Sequence, residues 1–184
     1  MNRTPDASHP LLILDLDETL LHASETPVGR EADFRVGPFH VYERPSVRDF
    51  LSDVAILFRV AVWTSATSGF AVPALRAIAP PAVRFEFVWT RDRCTRRIDQ
   101  ETRKVLWVKD LKKVKGRGER LEQVLMVDDT PAKLQRQYGN LIRIQPYLGS
   151  EVDGELLALL SYLREICPEP NYRRIEKRGW RSRF

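Results

Sequence analysis

Three short apolar runs, each stopping on a carboxylate or a hydroxyl, limit this chain more than any other feature. They are LLILD (11–15), RVAVWT (59–64) and QVLMVDD (123–129). Each has the length and β-branched content of a strand buried on both faces, and each is too short for a helix. Amphipathic stretches fall between them. PSVRDFLSDVAIL opens on Pro45 and Ser46 and places Val47, Phe50, Leu51 and Val54 on one face. SGFAVPALRAIA, with Pro73 in its first turns, closes at Pro80-Pro81, and GELLALLSYLREI (154–166) ends before Pro168. RFEFVW (84–89) and LIRI (141–144) read as further strands. Strand and helix alternate, which predicts an α/β chain with a parallel sheet covered on both faces. DFRVGPFHVYERP (33–45) alternates and turns at Gly37-Pro38, so a β-hairpin flap is expected after the first strand.

With 184 residues, 43% of them hydrophobic, the chain can bury one sizeable core. The expected division is an N-terminal tail (1–10), one domain (11–167) and a basic C-terminal tail (168–184) lying over the surface or partly free. Net charge is +5 and unevenly placed. Residues 91–120 carry twelve Lys/Arg against five Asp/Glu, and 171–184 carry six against one. Such regions attract phosphate-bearing partners, nucleic acid or phosphoprotein, although a solvated basic face has the same composition. Cys94 and Cys167 share no metal-ligand spacing and form no disulfide framework, which favours a reducing compartment. MNRTPDASHP lacks a signal-peptide layout, and VAILFRVAVW is broken by Arg59 and too short to span a bilayer. The expectation is a soluble, cytoplasmic monomer without a membrane partner.

In an open parallel sheet, ligands bind beyond the carboxyl ends of the strands. The first run delivers Asp15 there, with Asp17 and Thr19 in the following turn. The second delivers Thr64 with Ser65 beside it, WVKDLKKV supplies Lys109, and the third run delivers Asp128 and Asp129. Carboxylates gathered so closely repel one another unless a cation intervenes, and an oxygen-only set suits Mg²⁺. Taken singly, Asp15 and Asp17 also read as a helix cap or a surface turn. Thr64 alone reads as a strand end, and Lys112, Lys113 and Lys115 compete with Lys109. His22 reads as a local hydrogen-bonding residue, and Trp63, Trp89 and Trp107 as core or pocket walls. Cys94 lacks the phosphate-cradling loop of a cysteine phosphatase.

Taken in order, DLDET, VWTSA, VKDL and VDDTP resemble the four motifs of the haloacid-dehalogenase (HAD) superfamily of phosphotransferases. DLDETLLH, YERPSVRDFL, VKDLKKV and VDDTPAK resemble more closely its FCP/SCP, or NLI-interacting-factor-like, branch, over roughly residues 10–165. The resemblance implies a three-layer Rossmann-like HAD fold with a central parallel sheet, the hairpin flap, a small insertion and no large cap domain. It also implies roles. Asp15 is the nucleophile that becomes an aspartyl-phosphate. Asp17 protonates the leaving alkoxide, later takes a proton from water, and offers its backbone carbonyl to Mg²⁺. Thr19 fixes the loop through its hydroxyl. Thr64 and the backbone beside it at Ser65 donate to the phosphoryl group, and Lys109 supplies positive charge. Asp129 is the side-chain metal ligand and Asp128 orients Lys109 or a metal-bound water. Many relatives have Asn at the position of Asp129, so the assignment within the pair stays open.

No large lid fits between these motifs, so the site should admit a phosphorylated side chain on a macromolecule. Phe34, Val36, Phe39 and Val41 on the flap are expected to line an apolar pocket that grips a hydrophobic or proline residue near a phosphoserine. Three readings follow. One is a Mg²⁺-dependent phosphatase acting on phosphoserine or phosphothreonine of a protein or peptide, with phosphotyrosine left open. The second is a nucleic-acid 3′-end phosphatase using residues 91–120 and the tail. The third is a non-catalytic phospho-binding module, against which the intact DLDET speaks.

Overall fold

Every residue of Leu11–Leu14 is buried, as a strand must be when it has neighbours on both edges and cover on both faces. The computed structural model describes residues 9–98 and 103–184. In chain order the strands and α-helices begin with β1 (Leu11–Leu14), β2 (Leu21–Ser24), β3 (Phe34–Val36), β4 (Phe39–Glu43) and α1 (Val47–Leu57). They continue with β5 (Arg59–Trp63), α2 (Ser68–Ile78), β6 (Phe85–Trp89), β7 (Thr95–Ile98) and β8 (Val105–Val108). The last are α3 (Lys112–Lys115), β9 (Val124–Asp128), β10 (Leu141–Arg143) and α4 (Glu155–Ile166). The central sheet runs β10-β9-β1-β5-β6 and is parallel throughout.

Side chains alternate across this sheet with the period of two that strands impose. Leu12, Leu14, Val60, Val62, Leu125 and Val127 face α1, α2 and α4, which answer with Phe50, Val54, Ala74, Leu75, Leu159 and Leu163. Leu11, Ile13, Ala61, Trp63, Val124 and Met126 face the other way, towards Leu111, Val114 and Leu134. The three-layer α/β architecture is therefore present, but its third layer is thin, built from the one-turn α3 and short 3-10 turns. No helix among the described residues is long and apolar enough to cross a membrane.

The flap forms a second sheet, β2-β4-β3, antiparallel and turning at Gly37, whose φ is +57°. Its register pairs Phe34 with Val41 and Val36 with Phe39, so all four share one face, while Arg35 and His40 share the other. That shared face points inward. Val41 is fully buried, and Phe39 packs edge-on against Phe70 of α2 with ring centroids 5.4 Å apart. Val41 is thus packed in the core and is not an open wall of the apolar pocket expected from these four residues. Phe34 borders a cavity of about 400 Å³, whose other walls include Arg30, Glu31, Arg35 and His40. The small insertion is the β7–β8 hairpin, whose tip (99–102) lies outside the described residues, as does all of the N-terminal segment except His9 and Pro10.

The C-terminal segment corrects the expectation of a surface tail. Tyr172 and Trp180 are buried. Trp180 stacks on Tyr162 of α4 at 5.5 Å, and its Nε1 donates to the Arg143 carbonyl (2.9 Å). Arg181 donates to the same carbonyl (2.8 Å), so the segment covers β10, an edge strand of the sheet. Trp180→Ala should therefore cost about 3–5 kcal/mol in chemical denaturation. A loose tail would leave the unfolding midpoint where it is.

Candidate active site

β1 passes Asp15 to the carboxyl edge of the sheet, where its amide continues the ladder by donating to the Val127 carbonyl (3.0 Å). Asp15 is fully buried. Its Oδ1 accepts from the Leu16 amide (2.8 Å) and from Lys109 Nζ (2.8 Å), which fixes the carboxylate plane. The chain then turns, with the Leu20 amide donating to the Leu16 carbonyl (2.9 Å). Glu18 takes a left-handed φ of +59°, a strain of about 1–3 kcal/mol for a side-chain-bearing residue. Two backbone hydrogen bonds hold it there, Glu18 amide to Leu21 carbonyl and Tyr147 amide to Glu18 carbonyl, both 2.8 Å.

The expected anchor of this turn, the Thr19 hydroxyl, makes no hydrogen bond although it is buried. Its carbonyl carries the anchorage instead, accepting from Arg44 Nη1 (3.1 Å). Arg44 is itself buried and forked onto Asp153 by two bonds of 2.9 Å. A rigid guanidinium locked from behind holds a loop better than a rotatable hydroxyl.

β5 delivers Thr64, whose amide donates to the Trp89 carbonyl (2.9 Å). Its hydroxyl donates to Asp17 Oδ2 (2.9 Å) and accepts from the Ala66 amide (3.0 Å). A hydroxyl has one proton to give. In this arrangement the Thr64 proton is given to Asp17, and the hydroxyl orients that carboxyl group. Ser65 is held through its carbonyl, which accepts from Arg91 Nε (2.7 Å). β9 delivers Asp128, whose Oδ2 accepts from Lys109 Nζ (2.6 Å) and Oδ1 from the Thr130 amide (2.9 Å). Asp129 follows, with Oδ2 accepting from the Thr130 hydroxyl (2.9 Å). Lys109, fully buried, thus bridges the first and fourth motifs, and it, not Lys112, Lys113 or Lys115, enters the site.

Sequence reasoning missed Lys133. Its Nζ lies 2.9 Å from Asp15 Oδ2 and 3.5 Å from both Asp128 Oδ1 and Asp129 Oδ1. The signal available was a lysine four residues after Asp129, within reach once a turn follows the strand. Three carboxylates consequently face two ammonium groups. Burial would raise the Asp15 carboxyl, but Lys109 and Lys133 outweigh it and hold it below the usual range. Burial, and then the charge of Asp15, push Asp128 up to about 6 against the pull of both lysines. The same two causes raise Asp17, which makes it easier to protonate. Burial works against the Lys133 ammonium, yet Asp15, Asp128 and Asp129 more than offset it.

The donor set fits a hard divalent cation. Oxygens of Asp15, Asp128 and Asp129 lie within 4.8 Å of one another, and Asp129 Oδ1 is buried without a hydrogen bond. The Asp17 side chain, turned to Thr64, does not join this group of three carboxylates. His22 is local as expected, Nδ1 lying 2.7 Å from Glu18 Oε1. Cys94 is buried, its thiol pushed up by burial and directed at the Thr64 carbonyl (3.6 Å), so it is no nucleophile. Trp63 meets Trp89 edge-on at 4.9 Å, in keeping with a core role.

A family model described as NLI interacting factor-like phosphatase matches residues 10–173. A probable C-terminal domain small phosphatase of Dictyostelium discoideum is 33% identical over 163 residues, covering 84% of this chain and 50% of that protein. A CTD small phosphatase-like protein of Homo sapiens is 27% identical over 171 residues, covering 89% of this chain and 58% of that one. The chain thus spans about half the length of these two relatives. Among solved structures, Fcp1, described as an essential RNA polymerase II CTD phosphatase, aligns with a TM-score of 0.58 at 17% identity. That alignment covers 92% of this chain and 59% of the other, and at such identity the likeness concerns the fold.

Proposed function

The chain belongs to the family of NLI interacting factor-like phosphatases, and from that premise we propose that it hydrolyses phosphoserine and phosphothreonine in proteins through a phosphorylated Asp15. The observation that carries the reading is the meeting of Asp15, the Asp17–Thr64 pair, Lys109 and Asp128–Asp129 at the ends of β1, β5 and β9. Asp15, Asp129 and the Asp17 carbonyl would hold Mg²⁺, which would supply the charge that lets an anionic carboxylate approach an anionic phosphate. Asp128 keeps Lys109 in place beside them.

In the first half-reaction an Asp15 oxygen bonds to phosphorus as the bond to the serine oxygen breaks, and Asp17 gives that oxygen its proton. In the second, Asp17 takes a proton from water as the water oxygen bonds to phosphorus and Asp15 is released. Asp17 ends protonated and ready for the next turnover. Its raised pKa suits it to hold a proton at the start, and Thr64 aims it. Asp17→Asn should slow turnover about 10²–10⁴-fold. With an activated aryl phosphate it should still give a burst of leaving group near one equivalent, because only alkyl leaving groups need the proton. Rapid-quench kinetics check this, and equal loss in burst and steady state would place Asp17 elsewhere.

A protein substrate suits a site flanked only by a hairpin flap and a small insertion. The basic stretch supports it too. Arg91 lies over Trp107 (5.3 Å), Arg93 over Trp89 (4.7 Å) and Arg117 over Phe87 (5.0 Å), so ring faces that a nucleobase would stack on are already covered. The test is a competition among phosphoserine, phosphothreonine and phosphotyrosine peptides, 3′-phosphorylated oligonucleotides and sugar phosphates with added Mg²⁺. Preference for the first two is expected. Preference for oligonucleotides, with steep salt dependence, would overturn the choice of substrate.

A further inference from the structure

The carboxylate oxygens of this site are divided between two lysines, and the division is unequal in mobility. Lys109 holds Asp15 Oδ1 and Asp128 Oδ2 from a fully buried position. Lys133 faces three others, Asp15 Oδ2 at 2.9 Å with Asp128 Oδ1 and Asp129 Oδ1 at 3.5 Å. Its side chain is 14% exposed, against none for Lys109, and it rises from the short turn Pro131–Leu134. Asp129 Oδ1 lies near this ammonium yet receives no hydrogen bond from it. A single positive charge therefore stands at the centre of three carboxylates and leaves one of them incompletely satisfied.

From this geometry we propose that Lys133 is a built-in counter-cation of the metal site, occupying the place of the divalent ion and leaving when the ion binds. The proposal rests on the metal reading given above. A divalent ion drawn to Asp15 Oδ2 and Asp129 Oδ1 would meet the Lys133 ammonium there, and two cations at such separation repel each other. Lys109 cannot yield, having no path to water, so Lys133 yields. Its four-carbon stem carries the ammonium outward to solvent while the stem stays on the protein. Two consequences follow. Metal affinity is weakened by the competing ammonium, and Asp15, wholly covered in this state, loses its cap only when the ion arrives.

The test is calorimetric titration of Mg²⁺, without phosphate, into the wild type and into Lys133→Met, a substitution that keeps the stem and removes the charge. Lys133→Met should bind Mg²⁺ about 10–100-fold more tightly, the scale on which neighbours of a ligand set act. In the wild type, the NMR signals of the Lys133 ε-methylene should move over the same titration. Equal or weaker binding by the variant, with static ε-methylene signals, would make Lys133 a fixed salt bridge and leave the metal reading standing. Absence of Mg²⁺ binding by both chains would overturn the metal reading and this inference together. Should Lys133→Met fail to fold, the wild-type signals decide alone: movement supports displacement, and static signals at saturating Mg²⁺ refute it.

Discussion

Asp15→Asn is expected to lose about 10⁴–10⁶-fold of its turnover, the range seen when a nucleophile is removed, while keeping its fold. An amide nitrogen or oxygen is too weak a nucleophile for phosphorus, yet it fills the same space and still accepts from the Leu16 amide. Charge counting predicts the stability. The wild type sets Asp15, Asp128 and Asp129 against Lys109 and Lys133. Removing one negative charge leaves two of each sign, so no buried ion is stranded. Thermal unfolding should therefore stay close to wild type even as activity disappears. An active Asp15→Asn protein would exclude covalent catalysis at this residue.

Lys109→Met should do damage of the opposite kind, harming stability as well as rate. Lys109 is wholly buried, and its loss leaves Asp15 and Asp128, also wholly buried, with only Lys133 between them. Breaking a buried pair by removing one partner costs about 3–5 kcal/mol. For a chain of this size that lowers the melting temperature by roughly 6–20 °C. The rate should fall about 10²–10³-fold as a fixed positive charge beside the transferring group is lost. Asp128→Asn added to Lys109→Met should recover much of the stability but none of the rate, because it removes the stranded carboxylate without restoring the charge. Differential scanning calorimetry of the four-protein cycle measures the coupling directly. Full additivity of the two substitutions would show that the pair does not interact energetically.

Much of this was legible before any coordinates. The runs ending at Asp15, Thr64 and Asp128 have the period and length of buried parallel strands, and such strands deliver their last residues to one edge. The misses have physical causes. Lys133 acts across a turn, and which way a lysine swings is decided by tertiary charge, not by local pattern. The resemblance gives the loop to the Thr19 hydroxyl, whereas it is held by the Thr19 carbonyl through Arg44, a contact between positions 25 residues apart. The flap residues Phe34, Val36, Phe39 and Val41 share one face, but alternation in a sequence does not say whether that face meets solvent or α2. Tyr172 and Trp180 escaped notice because their segment docks through short 3-10 turns, which carry no 3.6-residue period.

The most direct measurement is to acid-quench the enzyme during turnover of a labelled activated aryl phosphate and map the labelled peptide by mass spectrometry. The account predicts one acid-stable, hydroxylamine-sensitive phosphoryl group on the peptide carrying Asp15, absent from Asp15→Asn and accumulating in Asp17→Asn. Sustained turnover with no labelled protein, or label on any other residue, would contradict it.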